Sequence, residues 1–116
     1  MVALLAVLAL AGPPKATLST ATSTVPLALS SWCWSARCGA PFAPTKKTAA
    51  AARGSLVTVR LAFTPRHVRV AIAGKQVAVT TSGRLVSWQA ARGGGITVHA
   101  TGPRGWVTYV GRLKVS

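Results

Sequence analysis

The 116-residue chain contains no aspartate and no glutamate, against 14 lysines and arginines, and carries a formal charge of +14 at pH 7. The absence excludes whole classes of chemistry. Without side-chain carboxylates there is no acid/base pair for glycoside cleavage, no aspartic dyad and no orienting carboxylate for a Ser–His pair. A carboxylate cage for Ca²⁺ cannot be built, nor a carboxylate anchor for Mg²⁺. No side-chain ion pair can form within the molecule. Each cation must therefore face water, a backbone carbonyl, an aromatic ring, the C-terminal carboxylate or an outside anion. A non-enzymatic protein without cofactor or metal is expected. Asparagine is also missing, and arginine outnumbers lysine 9 to 5, a bias that GC-rich coding produces as well. Half of the residues are hydrophobic, too many for a disordered basic tail.

No apolar run is long enough to span a bilayer as a helix, which needs about 20 residues. The run Val2–Leu10 suits the hydrophobic region of a secretory signal, and Ala9-Leu10-Ala11 follows as an A-x-A cleavage pattern. Pro13 and Pro14 then stop any helix. Residues 1–11 are expected to be a signal peptide and residues 12–116 one domain, placed outside the cytoplasm. No Lys or Arg precedes the run, and the competing reading is a buried N-terminal helix or strand. A lipid anchor is not expected, because Leu10-Ala11-Gly12 is followed by Pro13 where a lipoprotein box requires Cys.

The rest reads as β structure. Lys15–Thr22 suggests an edge strand, and Val25–Trp34, with Pro26, a strand starting at a sheet edge. Gly39–Gly54, with its prolines and the four alanines Ala49–Ala52, reads as a long connection. From Ser55 the alternation is clean. Val57, Val59, Leu61 and Phe63 share a face; so do Val68, Val70 and Ile72; so do Ile96, Val98 and Ala100; so do Val107, Tyr109, Leu113 and Val115. Gly74-Lys75, Ser82-Gly83, Gly93-Gly94-Gly95 and Gly102–Gly105 mark turns. About seven to eight short strands at this spacing predict an all-β, immunoglobulin-like antiparallel sandwich.

The most distinctive local feature is Ser31-Trp32-Cys33-Trp34 followed by Cys38. In an exported chain two cysteines read as a disulfide, Cys33–Cys38. A zinc site recruiting His67 and His99 is the alternative, but their spacing fits no finger or ribbon. The stretch Val25–Trp34 with Cys38, together with Gly94–Ala100 and Gly105–Tyr109, resembles small extracytoplasmic domains of Gram-positive bacteria, catalogued as secreted proteins or lipoproteins. The resemblance covers roughly residues 16 to 116 and implies an immunoglobulin-like sandwich, with no established activity. Here Trp32 stands where Tyr often precedes the first Cys, Gly39 where an acid often follows the second, and the loop between the cysteines is shorter than usual.

Trp32, Trp34, Trp88 and Trp106 could form a stacking platform, but core and edge packing is the expected role. His67 and His99 are expected as exposed strand residues. The cations form no tight cluster, and no nucleic-acid-reading motif is visible. Arg60, Arg69, Arg84, Arg92 and Arg104 fall on expected exposed strands or turns. They are the candidate contacts to anionic wall polymers or phospholipid headgroups, with a general nucleic-acid or polyanion binder as the alternative function.

Overall fold

The computed structural model describes residues 12–40 and 45–116. The expected signal peptide, residues 1–11, lies outside the described residues, as does part of the expected connection, residues 41–44. Among the described residues twelve strands form: β1 (Ala16–Ser19), β2 (Thr24–Pro26), β3 (Ala28–Trp34), β4 (Arg37–Gly39), β5 (Thr48–Ala51), β6 (Leu56–Leu61), β7 (His67–Ile72), β8 (Lys75–Val77), β9 (Thr80–Ser82), β10 (Leu85–Gln89), β11 (Gly94–Gly102) and β12 (Gly105–Val115). They make two sheets. One has the order β2-β1-β6-β10-β9, the other β4-β3-β12-β11-β7-β8 with β5 also on β12.

The architecture is an immunoglobulin-like sandwich. Strands β6, β10 and β9 stand where the second, fifth and fourth strands of that fold stand, and β7, β11 and β12 take the third, sixth and seventh places. Beside β6, β1 holds the first-strand place. The clean alternation found in the sequence explains these strands. Val57, Val59, Leu61, Val70, Ile72, Val86, Ile96, Val98, Val107 and Tyr109 are all buried between the sheets, while Arg60, His67, Arg69 and Arg112 point outward. Full burial of one such aliphatic side chain is worth roughly 1.5–3 kcal/mol. No polar or charged residue is buried among those described.

The structure corrects four expectations. Twelve strands replace about eight, because Val25–Trp34 divides in two and the short strands β4, β5 and β9 form in segments not expected to be strands. Strand β1 is not an edge: β2 covers one side of it and β6 the other, and Ala16 and Leu18 turn into the core. The run Val25–Trp34 divides between the sheets. Strand β2 ends at Pro26 on the outer edge, buried Leu27 makes the crossing, and β3 joins β12. The connection after Gly39 contains β5, which pairs with β12 in parallel and buries Ala49 and Ala51. Small side chains let this strand close over the core. Its other edge is met by hydroxyls of the β1–β2 turn. Thr20 Oγ1 donates to the Ala50 carbonyl at 2.6 Å, and the Ala50 amide donates to Ser23 Oγ at 3.3 Å.

Strand β12 is the longest and is flanked along both sides. Strand β11 runs beside it from Gly94 to Gly102, and on the opposite side β3 pairs with its first half and β5 with its second. A bulge in β3 at Ser30–Ser31, opposite Thr108, lets Leu29 and Trp32 reach the same core side although they are three positions apart. At Gly105 the backbone has φ 147° and any Cβ would overlap the Cys33 carbonyl, so only glycine fits.

Cys33 and Cys38 are directly opposed on β3 and β4, 4.0 Å apart at Cα, and are joined as a disulfide. The bond removes both thiolates from any zinc set. It closes a two-residue hairpin in which Ser35 (φ 52°) and Ala36 (φ 65°) are both left-handed, the geometry of a type I′ turn. Each left-handed non-glycine residue costs roughly 1–2 kcal/mol, comparable with the ~2 kcal/mol that a disulfide closing so short a loop supplies. We predict that Cys33→Ala/Cys38→Ala lowers unfolding stability in urea by about 2 kcal/mol, and that adding Ala36→Gly restores about 1 kcal/mol. Two thiols titrating in denatured, unreduced protein would contradict the pairing.

Candidate polyanion-binding surface

All five candidate arginines are exposed. Alternation sends Arg60 to the outer face of the five-stranded sheet and Arg69 to that of the seven-stranded sheet. The remaining three sit in connections. Arg84 lies in the β9–β10 turn, Arg92 between β10 and β11, and Arg104 in the β11–β12 turn.

The topology brings some of them to one end of the sandwich. Arg60 is paired with Leu85, next to Arg84, and the Arg84 carbonyl accepts from the Leu61 amide at 2.8 Å. In the other sheet the same end carries the turn with Arg104, whose carbonyl accepts from the Ser35 amide at 2.9 Å. Arg66, not singled out from the sequence, joins them where its amide donates to the Thr101 carbonyl at 2.7 Å. Arg92 lies at the opposite end, and Arg69 stands on the sheet face one step in from His67. The site is therefore an arginine-bearing end with two outliers rather than one continuous patch.

That end is stiffened by aromatic packing. Trp34 and Phe63 lie with ring centroids 4.9 Å apart, and a Cβ on Gly102 would strike both rings. A phosphate-bearing chain would meet guanidinium groups anchored on ordered backbone, which lowers the ordering cost of each contact. Each guanidinium is a planar fork suited to paired bonds with phosphate oxygens.

On the outer face of the seven-stranded sheet, His99 and Trp106 stack at 5.5 Å with planes 30° apart, and His99 Nδ1 shares a hydrogen bond with Thr108 Oγ1 at 3.0 Å. Arg69 stands directly across from His99 on β7. Partial burial, and then the nearby Arg69 charge, lower the His99 pKa. Cys33 is across from Trp106, so the disulfide borders this stack. The tryptophans thus divide. Trp88 is in the core, Trp32 and Trp34 pack against it, and Trp106 lies on the outer face. Sequence reasoning missed the His99–Trp106 pair, because it is a diagonal contact between strands that alternation alone does not register. His67 is exposed as expected, whereas His99 is half-buried.

Two polar groups borne by core aromatics differ sharply. Tyr109 donates from its hydroxyl to the Pro14 carbonyl at 2.6 Å, tying the segment before β1 to the body of the fold, and burial pushes its pKa up. Trp88 Nε1 has no acceptor among the described residues, a condition that costs roughly 1–3 kcal/mol. The described residues contain no group of three or more His, Cys, Asp or Glu side chains able to hold a metal ion.

No family model matches the chain, and neither a curated protein nor a solved structure does.

The His99 environment generates a pH prediction. An unperturbed histidine titrates near 6.5, and in the fold His99 takes up its proton at lower pH. Below about pH 6.5 the unfolded chain therefore binds the proton first, and stability that is full above that pH is lost as pH falls towards the lowered value. Wild type should lose more stability than His99→Gln between pH 7.5 and pH 5 in urea unfolding. A gap between the two proteins that is independent of pH would sink this assignment.

Proposed function

We propose that the protein is an exported, non-enzymatic module of the cell envelope that holds anionic wall polymers or phospholipid headgroups on its arginine-bearing surface. One observation carries the reading: a folded sandwich displays its cations outward in a chain with 14 Lys and Arg and no side-chain carboxylate to neutralise them. The whole surface is then at positive potential, and the strongest available partners are outside anions. The disulfide supports an oxidising compartment, and the apolar run with its A-x-A site supports export. Binding to phosphates through guanidinium groups is insensitive to base or sugar, so nucleic acid would be bound in the same way. That makes a general polyanion binder the second reading.

Protein recovered from culture medium and envelope should begin at Gly12 when its N-terminus is mapped by mass spectrometry. Recovery of intact Met1-containing chain alone counts against export. The surface itself is tested by retention on phosphate-rich wall polymer and on random duplex DNA across a salt series. Retention should be comparable on both and fall steeply with salt, because each neutralised phosphate releases counterions. Arg60→Gln/Arg84→Gln should flatten the log–log salt slope on DNA by about 2, at roughly 0.9 for each phosphate that is no longer neutralised. Salt-insensitive binding to one ligand, or no binding to either at low salt, rejects the polyanion surface.

A further inference from the structure

Between β8, at the edge of one sheet, and the end of β10 in the other, the sandwich is open. A cleft of about 230 Å³ lies there, lined by Ile72, Val77 and Trp88 with Lys75 and Arg92. It adjoins a wider groove of about 750 Å³ that shares Val77 and Trp88 and extends to Leu56. The composition changes along this path. Both cations belong to the narrow part, and neither belongs to the wide part, where Leu56 is the large hydrophobic side chain most exposed among those described, at 59%. Trp88 belongs to both, is only 5% exposed, and carries the unpartnered Nε1 donor.

We propose that this cleft binds a single-chain amphipathic anion, its oxyanion head held by Lys75 and Arg92 and its alkyl stem lying along Val77 towards Leu56. Three features converge on that chemistry. Two cations flank a space of 230 Å³ in a chain with no side-chain carboxylate to pair with them, so an entering anion meets no internal competitor. The walls beyond are uncharged, with Leu56, Val77, Ala78 and Ala91 beside Thr80, Ser87 and Gln89, and an alkyl stem lying on the apolar side removes Leu56 and itself from water together. Trp88 lines both parts, so a single indole meets a ligand whose head sits in the narrow cleft and whose stem lies in the groove. The head can be a carboxylate or a phosphate monoester, since both offer anionic oxygens to Lys75 and Arg92. The cleft lies at the other end of the molecule from Arg60, Arg84 and Arg104, and shares only Arg92 with the five candidate polyanion contacts.

The test follows the indole N–H signals of the ¹⁵N-labelled protein, with the Trp88 signal assigned by its loss in Trp88→Phe. Decanoate and decyl phosphate are titrated separately, with decanol and acetate as half-ligands. Expected are a saturable shift of the Trp88 signal with at least one of the two anions, and binding of decanol and acetate at least about tenfold weaker. Lys75→Gln/Arg92→Gln should weaken the anion at least about tenfold with an unchanged far-ultraviolet spectrum. Whichever anion binds more tightly identifies the head group. Absence of saturation, equal binding by the double variant, equal binding of decanol, or a shift confined to Trp106 overturns the proposal. Arg60→Gln/Arg84→Gln should retain decanoate binding while its salt slope on DNA flattens, so the failure of either idea is visible without the other.

Discussion

Taking an unpaired cation out of water costs several kcal/mol even after relaxation, and this chain has no side-chain carboxylate that could offset the cost for any of its 14 lysines and arginines. Every position that faces the inter-sheet space must therefore be apolar, and every cation must lie on an outer face, a turn or an end. The core obeys this: valine, leucine, isoleucine and alanine fill it, with Tyr109, Phe63 and Trp88 as the aromatic members and no charged residue among those described. Solvation alone thus sorts the side chains. The same rule sets the surface, since the arginines it expels from the core are what any anion in the surroundings meets.

Such a core holds sheets together without fixing which strands lie beside which. Order in the seven-stranded sheet comes from β12, which gathers β11, β3 and β5. Two strands from the N-terminal part of the chain share one of its sides, so the added β3–β4 ribbon and the parallel β5 are both docked by a single element. The β3–β4 ribbon needs help to hold its left-handed Ser35–Ala36 turn, and the disulfide and the hydrogen bond to the Arg104 carbonyl supply it. The conformation of that hairpin and the position of the arginine-bearing end are in this way mechanically linked.

Where one face of a strand is apolar and the other polar, the fold is legible in the residues. This holds for β6, β7, β11 and β12, whose inward residues all follow from period two. It fails where that contrast is missing. In β5 three successive alanines give no two-faced signal, and only the distant β12 decides that Ala49 and Ala51 are inside. In β3 the bulge at Ser30–Ser31 reverses the alternation midway. Strand β1 looks like an edge because its sequence is weakly apolar, and the covering strand β2 is only three residues long. Exposure of the five arginines was readable for the same local reason. Their separation into one end and two outliers was not, because it depends on which turns the topology brings together. The Trp88 cleft was least visible of all: with the groove beside it, its lining comes from five separate strands and two connections.

The parallel pairing of β5 with β12 has a consequence for force. Tension along the chain would reach β5 from Thr48 and β12 from Val115, pulling the two strands in opposite directions along a common axis. The bonds of that ladder, from Arg112 and Thr48 to Val115 and Ala51, would be loaded together in shear. The antiparallel β3–β12 pair presents Ala28 beside Val110, so the same pull would open it one bond at a time. A stretched molecule would therefore shed its N-terminal ribbons first, as a soft extension, and resist at β5, leaving the strands behind it folded until that short parallel ladder gave way.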